Sequence, residues 1–455
     1  MRLTIVNQFY RPDLSPTAHL SASLAEQRAR AGDVVTVVTS RGGYVPASAD
    51  AAEAERHANP RVYRIWTPRL GKAAVWKRCL DYLAFYLGAA WRMLRLPGQD
   101  LIVSLTTPPF IAWAAVLHRV LHRRTKLVLW NMDCYPELAE RSGALKEGGP
   151  AARVMRFFNR TLFRKLDALV CLDDAMRRLL MSQYATSGRE PRAVVIPNWE
   201  ELAFFPADAP RHEPLDDPEL AGKFVVMYLG NAGWGHRFET VVEAAEAMRD
   251  EPVVFCFVGG GSRWGYLGEQ KEQRRLGNLV LRDYVPKEQT PRLMAAAGCA
   301  LITLRDEILG MMSPSKLHSN LAMALPVLYV GPEGSNVDEA VKQFGCGASV
   351  RHDDLAGMTA FVRRLMNDEI SRKEMGQRSR EAFESAYCDV RTLPQFDALL
   401  RNLAPDDVRI QLNHEVTKTT KRFPASDADL LGLEPAGRTT GWSSTAARGT
   451  QETTN

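Results

Sequence analysis

The feature of this sequence that most restricts its fold is a repeated alternation between short apolar runs and helix-like segments. Near the start, "RLTIVNQFY" reads as a buried strand, "TAHLSASLAEQRARAG" as a helix and "DVVTVVTSR" as a second strand. Because the helix carries the chain back to the edge where the first strand began, the two strands are expected to be parallel. The runs "DLIVSL", "TKLVLWN" and "ALVCL" continue the pattern. This part of the chain therefore predicts a parallel sheet with helices between its strands.

The same alternation starts again after an interruption rich in proline. The segment "AVVIPNWEELAFFPADAP" breaks the pattern and indicates a boundary near residues 200 to 220. Beyond it come the strand-like runs "KFVVMYLG", "VVFCFVGGG", "NLVLRDYV", "CALITL" and "PVLYVG". A chain of 455 residues has room for two or three domains. We therefore predict an α/β protein with two Rossmann-like, doubly wound halves of similar size.

The domain boundaries follow from these interruptions. We predict a first domain over residues 1–205, a second domain over 218–382, a helix over 383–404 that returns toward the first domain, and a tail over 405–455. The tail is polar and rich in Thr, Ser, Ala and Gly, so it has little apolar surface to bury and is predicted to be disordered.

The cysteines and the N-terminus indicate the compartment. The seven cysteines are scattered and never form C-x-x-C, which disfavours a disulfide framework or a cysteine zinc site and suits a reducing cytoplasm. The N-terminal segment lacks the apolar core and the cleavage site of a signal peptide. No run reaches the roughly 18 to 20 apolar residues of a membrane span. We predict a cytoplasmic protein.

A basic, aromatic segment runs from Arg61 to Lys126. It contains twelve Lys or Arg, two acids and nine aromatic residues, four of which are tryptophans. Such a surface suits the inner face of the plasma membrane, because cations meet anionic headgroups and tryptophan prefers the boundary. Ordinary core helices with solvated arginines would give the same composition, so both interpretations stay open. No nucleic-acid-binding motif accompanies the charge, so nucleic acid is not a predicted partner.

Three strand ends of the second half carry residues that suit an anion, because glycine lets the backbone come close to a ligand. These are Gly230, Asn231 and Gly233 after the first strand, Gly260, Gly261 and Arg263 after the second, and Ser315 and Lys316 after "ALITLRDEILGMMSP". Pro314 suits a first helical turn, where free N–H groups and the positive charge of Lys316 favour an anion. The alternative is that Ser315 only caps the helix and Lys316 faces water. There is no P-loop and no G-x-G-x-x-G after the first strand, which disfavours a dinucleotide-binding dehydrogenase.

Taken together, these segments resemble glycosyltransferase family 4 of the GT-B fold, and most closely the bacterial branch that builds O-antigen and exopolysaccharide on a polyprenyl carrier. The matching segments are "NQFYRPDLSPTAHLSASLAEQRARAGDVVTVVTS", "NMDCYPE", "VVIPNWEELAFFP", "YLGNAG" and "PSKLHSNLAMALPVL". The resemblance covers about residues 1 to 400.

The resemblance implies two domains that face a central cleft. The second would bind a nucleotide sugar, UDP-linked, with the Gly230–Gly233 loop and Ser315–Lys316 on either side of the diphosphate, and the segment Asp283–Pro286, which includes Val285, beside the base. The first domain would bind a lipid-linked or glycan acceptor near Ser15 and His19. Members usually retain the anomeric configuration and need no bound metal, because a cationic site can stabilise the leaving diphosphate. We therefore expect no metal and no cofactor beyond the donor substrate.

The sequence departs from the family at its usual pair of glutamates, one of which acts at the donor sugar while the other binds the ribose. Alignment on Pro326 and Val327 puts Met311 and Ser319 at these positions. Asp133 of "NMDCYPE" and Glu307 are the carboxylates that we predict at the reacting centre, although Asp133 could equally cap the following helix.

We predict a retaining transferase that moves a hexose or N-acetylhexosamine to a lipid-linked or glycan acceptor in cell-surface polysaccharide synthesis. Two alternatives remain open at this point. One is an enzyme like UDP-N-acetylglucosamine 2-epimerase, which would need carboxylates in the cleft for proton transfer. The other is a non-catalytic relative that binds a nucleotide sugar or acts as a scaffold, which the missing glutamates favour.

Overall fold

The computed structural model describes residues 1–13, 15–41, 55, 57–68, 75–185, 189–206 and 217–405. Apart from Pro405, the tail predicted over 405–455 lies outside the described residues, and so do Arg69 and Lys72 of the basic segment.

The first half of the chain forms a sheet of seven parallel strands in the order β3-β2-β1-β4-β5-β6-β7. The strands are β1 Arg2–Val6, β2 Val34–Ser40, β3 Arg61–Ile65, β4 Leu101–Leu105, β5 Lys126–Trp130, β6 Ala168–Cys171 and β7 Arg192–Val195. The helices are α1 Pro16–Arg30, α2 Val75–Arg95, α3 Ala112–Leu121, α4 Glu137–Arg141, α5 Pro150–Phe163 and α6 Asp174–Tyr184, and a 3₁₀ turn covers Leu202–Phe204.

The second half forms a sheet of six parallel strands in the order β10-β9-β8-β11-β12-β13. The strands are β8 Phe224–Asn231, β9 Val253–Gly260, β10 Leu279–Arg282, β11 Cys299–Thr303, β12 Val327–Val330 and β13 Gly347–Val350. The helices are α7 Glu239–Ala247, α8 Trp264–Gln273, α9 Thr290–Ala295, α10 Lys316–Ala322, α11 Asn336–Phe344, α12 Leu355–Asn367, α13 Glu369–Ala382 and α14 Asp389–Leu403, with 3₁₀ turns at Lys287–Gln289 and Asp306–Ile308 and a π-helical turn at Phe383–Tyr387.

Both sheets reverse their strand order once, between β1 and β4 and between β8 and β11. Doubly wound sheets bind ligands at such reversals, beyond the carboxyl ends of the strands. The strands are apolar nearly throughout because helices cover both faces: β4 is buried at every position, and β9 at every position but its last. The predicted pair of doubly wound halves is confirmed. We call residues 1–206 the first lobe and residues 217–382 the second lobe.

Aromatic packing fixes the end of β8, which carries much of the predicted donor site. The ring of Tyr228 lies 5.2 Å from that of Phe238 and 5.3 Å from that of Phe257, and all three side chains are fully buried. Aromatic pairs at this separation stabilise a core beyond the area that they bury. The loop that follows β8 therefore starts from a rigid base.

The last helix, α14, packs on the first lobe. Its Phe396 lies 4.5 Å from the ring of Trp130 and 5.8 Å from that of Trp199. Its Asp397 forms an ion pair with Arg28 of α1, whose side chain is fully buried. The chain thus crosses between the lobes twice, and residues Met1–Pro405 form one compact unit.

Candidate active site

Lys316 connects the start of α10 to the loop after β8. Its Nζ donates to the carbonyl oxygen of Asn231 at 3.2 Å, lies 3.3 Å from Nε2 of His236 and sits 4.9 Å from the ring centre of Tyr228. Lys316 is half-buried and its amine is held by protein groups, so the alternative that it only faces water was wrong. The helix has only seven residues, so the charge of the lysine matters here more than the helix dipole.

His236 is the residue of this site that sequence reasoning missed. Its ring is buried, and Nδ1 lies 2.7 Å from the carbonyl oxygen of Thr303, which can only accept, so Nδ1 carries the proton. Nε2 is then an acceptor for Lys316. Burial, with the charge of Lys316 beside it, lowers the pKa of His236 to about 3, so the ring stays neutral at physiological pH. A histidine after "NAGWG" was visible in the sequence, but nothing there showed that it meets Lys316.

Lys316 itself titrates unusually low. Burial lowers the pKa of its amine to about 8, because the charged form loses hydration that its neutral neighbours only partly replace. An anion bound beside the amine would restore favourable electrostatics. The amine has three protons, and the two contacts with Asn231 and His236 leave one for a ligand.

The loops after β8 and β9 lie against each other, and glycine makes this possible. Gly261 has φ +130°, and a Cβ there would stand 2.5 Å from the carbonyl oxygen of Ala232. Gly230 has φ +113°, and a Cβ there would stand 3.2 Å from Cε of Lys316. Any larger residue would push the lysine or the loop away, so glycine is needed where the two loops and the Lys316 side chain lie close together.

The other predicted donor residues lie around these loops. Gly233 stands so close to the side chain of Asn231 that a Cβ would lie 2.9 Å from its Nδ2, and a Cβ on Gly260 would lie 3.1 Å from the ring of Tyr284. Val285 follows β10 and is half-buried. Ser315 precedes α10, is exposed and makes no side-chain capping bond, so the alternative that it only caps the helix was wrong.

The guanidinium of Arg263 already has partners within the second lobe. Its guanidinium pairs with Glu239 at 2.6 Å and stacks on the ring of Tyr266 at 4.2 Å. It therefore supports the start of α7 and α8, and a ligand would have to compete with Glu239 for its charge.

Asp133 lies where the two lobes touch. Its backbone pairs with Met312 in an isolated antiparallel bridge, and the neighbouring Cys134 N–H donates to the carbonyl oxygen of Met311 at 2.8 Å. Asp133 does not cap α4, because Pro136 holds the position before that helix and no side chain bonds to its first turn. Burial raises the pKa of the Asp133 carboxyl to about 6. A carboxyl of this kind at a cleft is a candidate for function.

The two positions where the resemblance led us to expect glutamates are held by Met311 and Ser319. Met311 is buried, and the Ser319 hydroxyl donates to the carbonyl oxygen of Lys316 at 3.2 Å. Glu307 is exposed on the turn Asp306–Ile308, and it has no hydrogen-bond or ion-pair partner among the residues that the structure describes.

The predicted acceptor residues line a cavity between the lobes. Ser15 caps α1 by accepting from the Ala18 N–H at 3.2 Å. His19 accepts at Nδ1 from Arg11 at 3.3 Å, and its Nε2 lies 3.4 Å from Glu201. Burial and the nearby Lys287 lower the pKa of His19 to about 4. Ser15 and His19 share this cavity of about 190 Å³ with Ser315 of the second lobe, so the cavity brings together parts of the predicted donor and acceptor sites.

A large apolar surface is exposed on three neighbouring helices of the first lobe. Its eleven side chains are each at least 37% exposed and lie on α2 (Trp76, Leu80, Leu83, Leu87, Trp91), α3 (Leu117, Val120, Leu121) and α5 (Val154, Phe157, Phe158). We call these side chains the apolar face. Exposed apolar side chains concentrated on neighbouring helices usually mark an interaction site.

Cations border the apolar face. The guanidinium of Arg95 stacks on Trp91 at 3.9 Å, and the Lys77 amine lies 5.6 Å from the ring of Trp76. At the end of α3, Val116 and Val120 share a groove of about 300 Å³ with four cationic side chains: Arg119, Arg123, Lys165 and Arg189. Among the described residues, no helix is both long and apolar enough to cross a bilayer.

Comparison with known proteins identifies one family for the first lobe. A model described as a glycosyl transferase 4-like domain matches residues 18–199. The probable glycosyltransferase WbjE of Pseudomonas aeruginosa is 25% identical over 306 residues, which are 67% of this chain and 75% of the relative. The putative colanic acid biosynthesis glycosyl transferase WcaI of Escherichia coli K12 is 24% identical over 391 residues, 80% of this chain and 92% of the relative.

Solved structures agree with the fold. Sucrose-phosphate synthase of Thermosynechococcus elongatus superposes with a TM-score of 0.69 at 14% identity, over 89% of this chain and 99% of that one. Anabaena Alr3699/HepE, solved with UDP and glucose, gives a TM-score of 0.65 at 14% identity over 88% of this chain and 100% of that one. These matches confirm the two-domain, Rossmann-like architecture.

Proposed function

Because the first lobe matches a glycosyl transferase 4-like domain and the whole chain has the GT-B fold, we propose that this protein is a family 4 glycosyltransferase that moves a hexose or N-acetylhexosamine from a UDP-sugar to a lipid-linked or glycan acceptor in cell-surface polysaccharide synthesis. The observation that carries the proposal is the position of Lys316 between the glycine loops and α10, with one ammonium proton available to a ligand. The similarity to WbjE supports glycosyl transfer, and the similarity to WcaI supports a role in polysaccharide synthesis.

The reaction needs stabilisation of the diphosphate that leaves the sugar. The ammonium of Lys316 would meet the developing charge, and the close-packed loops of Gly230 and Gly261 would bring backbone N–H groups to the same phosphates. A protein cation in this role makes a bound metal unnecessary. We therefore propose a metal-independent transfer.

Asp133 would act from the acceptor side of the cleft. Its carboxyl lies at the contact between the lobes and its pKa is about 6, so most of it is ionised at pH 7. An ionised carboxylate there would accept a hydrogen bond from a sugar hydroxyl and would stabilise positive charge that develops on the sugar carbon. Retention of configuration is part of the proposal, in keeping with the family.

The apolar face would seat the enzyme on the inner face of the plasma membrane. Tryptophan and leucine side chains enter the boundary between headgroups and acyl chains, while arginine and lysine meet anionic headgroups. A lipid-linked acceptor is confined to that boundary, so docking would raise its effective concentration at the cleft.

The test is product formation. UDP-sugars are offered with a polyprenyl-linked acceptor, in EDTA, and UDP release and the glycosylated lipid are measured together. We expect both products from the wild type and at least about a hundredfold less from Lys316→Ala, because removal of one stabilising donor typically costs that much. Lys373→Ala, at an exposed lysine of α13, is the matched control.

A second candidate is a non-catalytic nucleotide-sugar-binding protein, which the side chains of Met311 and Ser319 favour because neither can act as a carboxylate. Saturable UDP-sugar binding without UDP release on any acceptor would select this candidate. Conversion of the donor in the absence of acceptor would instead select the epimerase-like alternative.

A further inference from the structure

The cavity between the lobes is lined by polar side chains, some of whose buried atoms have no hydrogen-bond partner among the described residues. Buried polar atoms without hydrogen bonds are rare and cost about 1–3 kcal/mol each. Three of the lining residues carry such an atom, namely His19 at Nε2, Asn198 at Oδ1 and Glu200 at Oε2. His19 Nε2 faces the carboxylate of Glu201 at 3.4 Å. The nearest described cation to Glu200 is Lys287, whose Nζ lies 3.8 Å from the carboxylate, beyond hydrogen-bonding distance. Asn198 Oδ1 and Glu200 Oε2 are both acceptors, so the groups that they lack are hydrogen-bond donors.

Glu200 is held firmly in this position. It lies in the first segment that connects the lobes, and its N–H donates to the carbonyl oxygen of Tyr387 at 3.2 Å. Its own carbonyl oxygen accepts from the Asp389 N–H at 3.0 Å. Both partners belong to the second connecting segment, so the two crossings fix the backbone of Glu200. Its side chain lines the cavity and is 23% exposed.

The cavity lies between the two ends of the proposed nucleotide site. Its lining contains Ser315, the residue before Lys316, which would hold the diphosphate. The lining also contains Lys287, which directly follows the segment Asp283–Pro286 expected beside the base. In a nucleoside diphosphate the ribose joins the base to the phosphates, so the ribose falls in this cavity. Its vicinal hydroxyls are two donors, which is what Asn198 and Glu200 lack.

We propose that Glu200, assisted by Asn198, binds the ribose hydroxyls of the nucleotide donor. The inference rests on the proposed function and assigns the sugar-ring contact of that same site. It also answers a question that the sequence left open. Ser319 stands where a ribose-binding glutamate is usual, and here the carboxylate comes from the connecting segment instead of from α10.

The test compares UDP with 2′-deoxy-UDP by isothermal titration calorimetry. In the wild type, UDP should bind about tenfold more tightly, because a hydroxyl donated to a carboxylate contributes that much or more. In Glu200→Ala, UDP affinity should fall to near that of 2′-deoxy-UDP, while 2′-deoxy-UDP affinity stays within about twofold. Glu200→Gln keeps an acceptor without charge, so it should show an intermediate ratio.

Glu288→Gln is the matched control, since this exposed carboxylate next to Lys287 does not line the cavity. Its ratio should equal that of the wild type. Unchanged binding of 2′-deoxy-UDP also shows that a Glu200 variant is folded. If the wild type fails to bind UDP, the proposed donor fails and this inference with it. If UDP binds and Glu200→Ala keeps the wild-type ratio, this inference alone is overturned.

Discussion

At the scale of single residues, the site depends on the surroundings of one lysine. The sequence predicted Lys316, its serine and the glycine loops, because glycine, cation and helix start are local signals. It could not predict His236 or Glu200. His236 acts through a contact with Lys316, which lies 80 residues away in the sequence, and Glu200 acts through a cavity between the lobes. Contacts between residues so far apart leave no pattern in the sequence.

The lowered pKa of Lys316 predicts how nucleotide binding depends on pH. The protonated amine attracts a diphosphate and the neutral amine does not. UDP affinity should therefore be constant near neutrality and fall above about pH 8, by up to about tenfold per further unit. Calorimetric titrations across this range measure the profile.

Lys316→Arg is the control for this profile, because arginine keeps its charge throughout. The decline above pH 8 should disappear in that variant. A flat wild-type profile, or the same decline in the arginine variant, would contradict the assignment of the titrating group.

At the scale of elements, a loop of the second lobe closes against the first lobe. Gly310 has φ +76°, and a Cβ there would stand 2.7 Å from the carbonyl oxygen of Ala175 in α6. The loop goes on to the bridge between Met312 and Asp133. The sequence predicted the strands on both sides, but it gave no signal that this loop reaches across the cleft.

Gly310→Val should force the loop away from α6. We expect kcat/KM for the donor to fall about tenfold or more, because the contact that holds Asp133 at the cleft is lost. Gly334→Ala is the control, because Gly334 has the same φ of +76° as Gly310. A Cβ at Gly334 would meet only the tip of the Arg178 side chain, at 3.9 Å. Equal losses in both variants would show that backbone strain, and not the contact between the lobes, is responsible.

The apolar face belongs to the same scale. Trp76→Ser with Trp91→Ser should reduce binding to vesicles that contain anionic lipid by about tenfold or more, since each exposed indole contributes its area to the interface. Sedimentation with vesicles measures this directly. Ile370→Ser with Val390→Ser, at two exposed apolar residues away from the face, should bind as the wild type does. Equal binding by both double variants would show that the apolar face does not bind the membrane.

At the scale of the whole molecule, the first and last described elements are joined by a buried ionic cluster. The amino group of Met1 lies 3.1 Å from Asp33, and Arg28 pairs with both Asp33 and Asp397 of α14. The sequence predicted a final helix that returns toward the first domain. It could not predict which charges would meet, because an arginine in α1 looks the same in the sequence whether it is buried or exposed.

Arg28→Ala should therefore lower the free energy of unfolding by about 3–5 kcal/mol, because it removes the buried cation that Asp33 and Asp397 share and leaves the buried Asp33 with only the amino group of Met1. Chemical denaturation monitored by tryptophan fluorescence measures the change. Arg30→Ala, two residues further along α1 at an exposed position, should change it by no more than about 0.5 kcal/mol. Similar small effects in both variants would mean that the cluster does not stabilise the molecule.

The measurement that tests the central claim most directly is thermal stabilisation by UDP of the wild type, of Lys316→Ala and of Lys373→Ala. A ligand that binds only the folded protein raises its melting temperature, by the equivalent of about 2.7 kcal/mol at a hundred times its Kd. We predict a clear rise for the wild type and for Lys373→Ala, and a much smaller one for Lys316→Ala at the same UDP concentration. No rise in the wild type, or an equal rise in Lys316→Ala, would contradict the claim that this lysine holds the diphosphate of a nucleotide sugar.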